Sequence, residues 1–209
     1  MTAPVRFVVL EGMDGAGKAT AAPRLASALR ARGIPATFLS KREGCADLLD
    51  PGERLLKLRD VLWDYPEEEP IRRWGDQHWF HLLASWFSLV DQAGVRSLLA
   101  RGRSVIADGW FYQYAARFAL KPAFSPELIE ACFGHLAVPD RVFLLDLDPG
   151  RAGPPHDSVE HQEQVRAGLL ERAQRGGWTV IRGAMGGTAL LQRLLEELDP
   201  HAPTLMSEV

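Results

Sequence analysis

The stretch from Arg6 to Thr20, RFVVLEGMDGAGKAT, carries the residue types and spacing in this chain that are best suited to chemistry. Gly12, Gly17 and Lys18 fit the spacing G-x-x-x-x-G-K that follows a buried strand and opens a helix in a phosphate-binding P-loop. Glycines let several backbone N–H groups converge on one anion, and the helix that follows adds the positive end of its dipole. Lys18 is then placed to reach the outer phosphates of a nucleotide as a cation. The residues expected to cradle ATP are Gly12, Met13, Asp14, Gly15, Ala16, Gly17, Lys18, Ala19 and Thr20. One position departs from the pattern. A hydroxyl is expected directly after the lysine as a Mg²⁺ ligand, and Ala19 stands there. Thr20 comes one place later, turned about 100° round the helix, so it is expected to bond phosphate without fully replacing the missing ligand.

These residues need a scaffold, and the rest of the chain supplies one. Phe7–Leu10, Ala36–Ser40, Ser104–Ala107, Arg141–Leu147 and Thr179–Arg182 read as strands, because each is a short apolar or β-branched run bounded by turn residues. Between them lie segments with helical spacing: Lys18–Arg32, Leu48–Tyr65, Asp76–Ala100, Tyr112–Leu120, Val159–Arg175 and Thr188–Leu198, with a further helix opened by Ser125-Pro126-Glu127. The expected fold is α/β, a parallel five-stranded sheet with helices on both faces. Asp76–Ala100 is expected to be one long helix, and Pro23 to kink the first. The stretch Asp148–Ser158, DPGRAGPPHDS, is too rich in Gly and Pro for regular structure and reads as a lid. Ligands of such sheets bind at the carboxyl ends of the strands. Lys41, Arg42, Glu43, Asp108 and Asp146 all stand at such ends.

Composition narrows the function. With 209 residues, 46% of them hydrophobic, the chain suffices for one domain spanning its whole length. A net charge of -3 with no basic run argues against a nucleic-acid polymer as partner. Cys45 and Cys132 lack metal-ligand spacing and read as reduced thiols, and no apolar run has the length of a membrane span, so a cytoplasmic protein is expected. Glu67, Glu68 and Glu69 read as a solvated turn, and Pro200–Val209 as a tail.

Read together, these motifs resemble thymidylate kinases, over most of the chain length. The family's E-G-x-D-G-x-G-K-[ST]-T loop is matched by Glu11, Gly12, Asp14, Gly15, Gly17, Lys18 and Thr20. Its T-R-E-P-G-G after the second strand is echoed by Lys41, Arg42, Glu43 and Gly44, and its A-L-A-R-G-x-x-V-I-x-D-R-Y by Leu98, Leu99, Ala100, Arg101, Gly102, Val105, Ile106 and Asp108. Leu145, Asp146, Leu147, Asp148 and Pro149 match the L-D-[VL]-x-P before the lid. The resemblance implies a P-loop kinase fold with a lid at about residues 148–158, ATP as donor, Mg²⁺ as cofactor, a nucleoside monophosphate such as dTMP as acceptor, and a homodimer built on the long helices. It implies catalytic roles for Lys18, Arg42, Asp108 and, from the lid, Arg151. Acceptor contacts fall to Glu11, Asp14, Arg42, Glu43 and Trp110, and metal contacts to Thr20 and Asp108.

The departures cluster on phosphate handling. Gly109 stands where the family has an Arg after the third-strand Asp, and alignment places Phe87 and Leu89 where its long helix carries an Arg and a Gln. Two other readings therefore stay open. One is a kinase of a hydroxyl acceptor, resembling deoxynucleoside kinases, with Glu43 as base. The other is a nucleotide-binding protein without turnover, suggested by Ala19 and a lid with Arg151 alone.

Overall fold

The computed structural model describes residues 5–43, 52–63, 75–148, 158–183 and 185–198. Outside these lie the expected lid with Arg151, Cys45, the Glu67–Glu69 run and the C-terminal tail.

Five strands, β1 (Phe7–Gly12), β2 (Ala36–Leu39), β3 (Ser104–Ala107), β4 (Arg141–Asp146) and β5 (Thr179–Arg182), form one sheet in the order β2-β3-β1-β4-β5. Every pairing is parallel, with Val9 beside Ala107 and Val142, and Leu39 beside Ala107. Period-two alternation divides the apolar side chains between two cores. Phe7, Val9, Val105, Ala107, Val142 and Leu144 face one side. Val8, Leu10, Ile106, Phe143, Leu145 and Ile181 face the other.

Helix α1 (Lys18–Ala31) covers the second face together with α8 (Gly187–Glu197), burying Leu25, Leu29, Leu190 and Leu194. The first face carries the larger core and most of the aromatic rings. It is covered by α2 (Gly52–Trp63), α3 (Asp76–Val90), α5 (Tyr112–Ala119), α6 (Pro126–Phe133) and α7 (Val159–Gly176), while a short α4 (Ser97–Ala100) leads into β3. Phe80 alone meets Phe118, Phe124 and Phe133 with centroids 4.9–5.4 Å apart. Helix starts follow their caps. The Ser125 hydroxyl accepts from the Leu128 N–H ahead of Pro126, and the Ser158 hydroxyl accepts from the His161 N–H.

Two expectations about helices change. Helix α1 runs unbroken through Pro23. The proline withdraws the backbone bond due to Ala19, and Ala19 is exposed, so its carbonyl has water available. The expected helix from Asp76 to Ala100 is continuous but not uniform, because Asp91–Arg96 is π-helical. The wide turn brings residues five apart together, and Arg96 Nε donates to the fully buried Asp91 carboxylate at 2.6 Å. The other Asp91 oxygen accepts from the Ala137 N–H. None of the described helices is long and apolar enough to cross a membrane.

Candidate functional site

Strand β1 lies beside β3, and the connections that leave these two strands run in opposite directions, from β1 to β2 and from β3 to β4, so the crevice above their carboxyl ends is the place where an open parallel sheet binds ligand. The turn that leaves β1 is built on backbone geometry only glycine accepts. Gly12 has φ +145°, and a Cβ there would lie 2.5 Å from the Leu145 carbonyl oxygen of β4. Gly15 and Gly17 have φ near +81° and +85°, and the Met13 carbonyl accepts from the Ala16 N–H. Lys18 is the first residue of α1. Its Nζ folds back to donate to the carbonyls of Gly12 (2.7 Å) and Met13 (2.8 Å). Burial, with the nearby Lys41 charge adding to it, pulls the Lys18 pKa down to about 8.

Two cavities meet on this loop. One, of about 270 Å³, is mostly apolar and lies between the start of α1 and the ends of β4 and β5; Arg24, Leu147, Ile181 and Met185 are among its walls. The other, of about 410 Å³, is polar in the residues that line it, the charged Asp14, Lys18, Lys41, Arg42 and Asp108 with Ala19, although carbon makes up most of its exposed wall. Gly15, Gly17 and Thr20 belong to both.

The polar cavity is assembled from three elements. At the end of β2, the Lys41 N–H donates to Asp108 Oδ1 at 2.7 Å, and the Lys41 carbonyl accepts from the Trp86 indole N–H at 2.6 Å. The Lys41 side chain is 7% exposed and its Nζ donates to Gln113 Oε1 of α5 at 3.1 Å. Gln113 Nε2 reaches Asp14 Oδ1 at 3.4 Å, and Arg117 Nη2 pairs with the other Asp14 oxygen at 3.4 Å. Burial opposes the Lys41 charge, but the Tyr114 phenol, Glu11 and Asp14 outweigh it and hold the lysine pKa above its ordinary value. At Asp14 burial is overcome by Lys41, Lys18 and Arg117, which keep its carboxyl below the usual range. Asp108 goes the other way, because burial there exceeds the help of the Lys41 N–H and the lysine charges.

Not every expected site residue comes to the crevice. Lys18, Asp14, Gly15, Gly17, Ala19, Thr20, Arg42 and Asp108 line the polar cavity, and Ala16 the apolar one. Trp110 does not. Its ring is fully buried behind the site, edge-on to Phe7 and Phe87 at 5.4 Å, so it is a core residue and not an acceptor contact. Glu11 is also fully buried, its carboxylate accepting from the Gly12 and Trp110 N–H groups, and burial pushes its pKa up. It fastens the end of β1 to the turn after β3. Met13 is buried and contributes its carbonyl to Lys18. Glu43 stands on an exposed turn, its N–H directed to the Ser40 hydroxyl, and lines neither cavity. Asp146 takes both oxygens to Arg166 of α7.

The architecture matches a solved one. A crystal structure of thymidylate kinase from Ehrlichia chaffeensis superposes with a TM-score of 0.68, covering 94% of this chain and 100% of that one at 15% identity. No protein-family model matches the chain. The thymidylate kinase of Photobacterium profundum is 30% identical over 149 residues, which is 69% of this chain and 66% of that protein, just under two thirds of its length. The match in sequence and the match in fold together support a divergent, thymidylate kinase-like family member.

Within this thymidylate kinase-like fold, several crevice residues had no motif to announce them. Gln113 is an ordinary letter in sequence, and Lys41, noted at the end of a strand, was given no role; their meeting depends on the end of β2 and α5 coming together. The apolar cavity draws on the loop after β5, where Gly183 with φ +83° was the available signal. Arg166 became visible only through its pairing with Asp146 across 20 residues.

Proposed function

We propose that the protein is a phosphotransferase that passes the γ-phosphate of ATP to a small phosphorylated acceptor of the nucleoside monophosphate kind. The observation that carries this reading is the meeting of the two cavities on the P-loop. The apolar one suits a purine, and the polar one, walled by two lysines, Arg42 and Asp108, suits an anion. A triphosphate laid along the loop from the apolar side brings its last phosphate to the mouth of the polar side, facing an acceptor held there. Kinship with thymidylate kinases supports dTMP as the first acceptor to try.

Phosphoryl transfer depends mostly on positioning and charge neutralisation. The Lys18 ammonium, now resting on two carbonyls, is within the loop that would hold the β- and γ-phosphates, and phosphate oxygens would replace those carbonyls as its partners. An acceptor monophosphate is largely dianionic near pH 7 and needs no general base. The residues fit a Mg²⁺ ion held chiefly by phosphate and water: Ala19 offers no oxygen, Thr20 and Asp108 border the polar cavity, and no group of three or more His, Cys, Asp or Glu among the described residues is arranged to hold a metal. When bound, the ion would supply charge neutralisation on the phosphates. The hydroxyl-acceptor alternative needs a base, and Glu43, the residue expected for it, does not line the polar cavity.

The test is ADP release from ATP and Mg²⁺ against a panel of nucleoside monophosphates and the matching free nucleosides. Turnover confined to monophosphates is the expected outcome. Turnover of free nucleosides would replace it with a hydroxyl kinase, and silence across both panels while ADP still binds would leave a nucleotide-binding protein.

A further inference from the structure

Lys41 is a buried ionisable side chain that the phosphotransfer scheme above counts among the walls of the polar cavity without giving it a contact of its own. It shares the polar cavity with Lys18, which is equally buried, so two ammonium groups stand in one crevice. No carboxylate lies within ion-pairing distance of its Nζ among the described residues, and the hydrogen-bond partner of that nitrogen is the neutral Gln113 amide oxygen. An ammonium has three protons to donate. The Tyr114 ring, Glu11 and Asp14 keep Lys41 charged from a distance, and with one neutral hydrogen-bond acceptor it opens on the cavity with protons to give an anion. The space it occupies is reserved for it. Gly109 has φ +140°, and a Cβ there would lie 2.7 Å from Lys41 Cδ, so the glycine leaves the room through which the lysine reaches the cavity. The backbone is pinned at both ends of the residue, by Asp108 on its N–H and Trp86 on its carbonyl. Each of the two neighbouring cations has a ring beside it, Lys41 Nζ over Tyr114 at 5.4 Å and Arg42 over Trp63 at 5.2 Å, so what sets Arg42 apart is that it is exposed.

We propose that Lys41 is the cation that binds the anionic group of the acceptor, and that Gly109 is the positioning residue that admits its side chain to the crevice. This rests on the phosphotransferase reading and sharpens it: the acceptor presents a phosphate, or a group of like charge, to Lys41 Nζ, while Gln113, tied in turn to Asp14, fixes the direction of the ammonium.

The experiment is calorimetric titration of dTMP, inorganic phosphate and free thymidine into ADP-loaded protein, for the wild type and for Lys41→Met, Lys41→Arg, Arg42→Ala and Gly109→Ala, with ADP affinity measured for each. Loss of a charge-assisted contact predicts that Lys41→Met weakens dTMP and phosphate about 10- to 100-fold. Arg42→Ala should cost less than Lys41→Met, Lys41→Arg should restore most of the anion affinity, and Gly109→Ala should fall between. ADP binding should change by less than about threefold in Lys41→Met, since the donor phosphates are held by the loop and Lys18. If the wild type binds dTMP or phosphate and Lys41→Met binds them as well, or if Arg42→Ala costs more, the assignment of Lys41 is overturned while the phosphotransferase reading stands. If the ADP-loaded wild type takes thymidine but neither anion, the acceptor-phosphate reading itself falls, and the role of Lys41 with it. Should the Met variant fail to fold, the ranking of Lys41→Arg against Arg42→Ala decides.

Discussion

The two halves of the crevice are held to different standards of construction. On the side proposed for the donor, the cradle is backbone: positive-φ glycines at 12, 15 and 17, carbonyls that park Lys18, and the first turn of α1. On the side proposed for the acceptor it is side chain: Lys41, Gln113, Asp14 and Arg117 linked one to the next from three separate elements. A backbone cradle tolerates change at most side chains but not at its glycines. A side-chain relay has the reverse sensitivity, and it can be rebuilt for another acceptor by a few substitutions without disturbing the fold. That contrast explains how the phosphate loop stays close to its motif while the acceptor side has drifted.

The sharpest break comes from Lys18. Replacing it with Met should weaken ADP binding by at least about 100-fold, the worth of two charged hydrogen bonds, read by calorimetry. The same variant should be more stable than the wild type at pH 7. A lysine whose folded pKa is about 8, below the ordinary 10.5, binds fewer protons folded than unfolded between those values, so stability is lowest below about pH 8 and rises through the window to 10.5. Removing the charge recovers up to about 3 kcal/mol, offset by about 1 kcal/mol for each lost carbonyl bond, for a net rise in Tm of a few degrees. A fall in Tm would show that the buried ammonium contributes to the fold.

Next in size are the glycines. Gly12→Ala meets both the Leu145 carbonyl and a forbidden φ, and should cost about 2–4 kcal/mol in denaturant melts. Gly17→Ala meets open space and should cost only the roughly 1–2 kcal/mol of the left-handed conformation. Equal costs would mean that strain, and not the β1–β4 approach, sets the requirement.

A smaller effect concerns protons. Phosphates should restore the Lys18 charge, so ADP affinity at pH 9 should be weaker than at pH 7 by about tenfold at most, with proton uptake on binding above pH 8 detected by titrating in buffers of different ionisation enthalpy. The smallest is Ala19→Ser. Supplying the hydroxyl should lower the Mg²⁺ concentration for half-maximal activity a few-fold, and an unchanged titration would mean that phosphate, water and Asp108 already complete the shell.

The same contrast governs what could be read in the sequence. The five strands, the flanking helices and the phosphate loop were legible because each is written in contiguous residues, with apolar runs bounded by turns and with Gly12, Gly17 and Lys18 at fixed offsets. The acceptor side was half legible. Gly109 stood out as a departure, yet nothing in a one-dimensional pattern says that the space above it is filled by Lys41, 68 residues earlier. Trp110, three positions past β3, was placed at the crevice by the resemblance, which carries no information on where its ring points. The chain turns at Gly109 instead, and the indole goes under β1 against Phe7. Arg42 entered as acceptor cation through the echo of T-R-E-P-G-G; it and Lys41 line the same cavity, Arg42 exposed and Lys41 buried, a difference that sequence does not display.

The wide turn at Asp91–Arg96 bears on how this chain can gain or lose residues. A π turn uses one residue more than an α turn over a similar rise, so dropping Ala93 would close the segment to ordinary helix and leave α3 in register with its core. Asp91 and Arg96 would then stand four apart, about 40° round an α-helix, so the ion pair itself re-forms on one face. What the surplus residue sets is the aim of that pair: Arg96 also holds the His135 carbonyl and the Asp91 carboxylate also holds the Ala137 N–H, so the wide turn points one neutralised charge at the seam between α3 and the approach to β4.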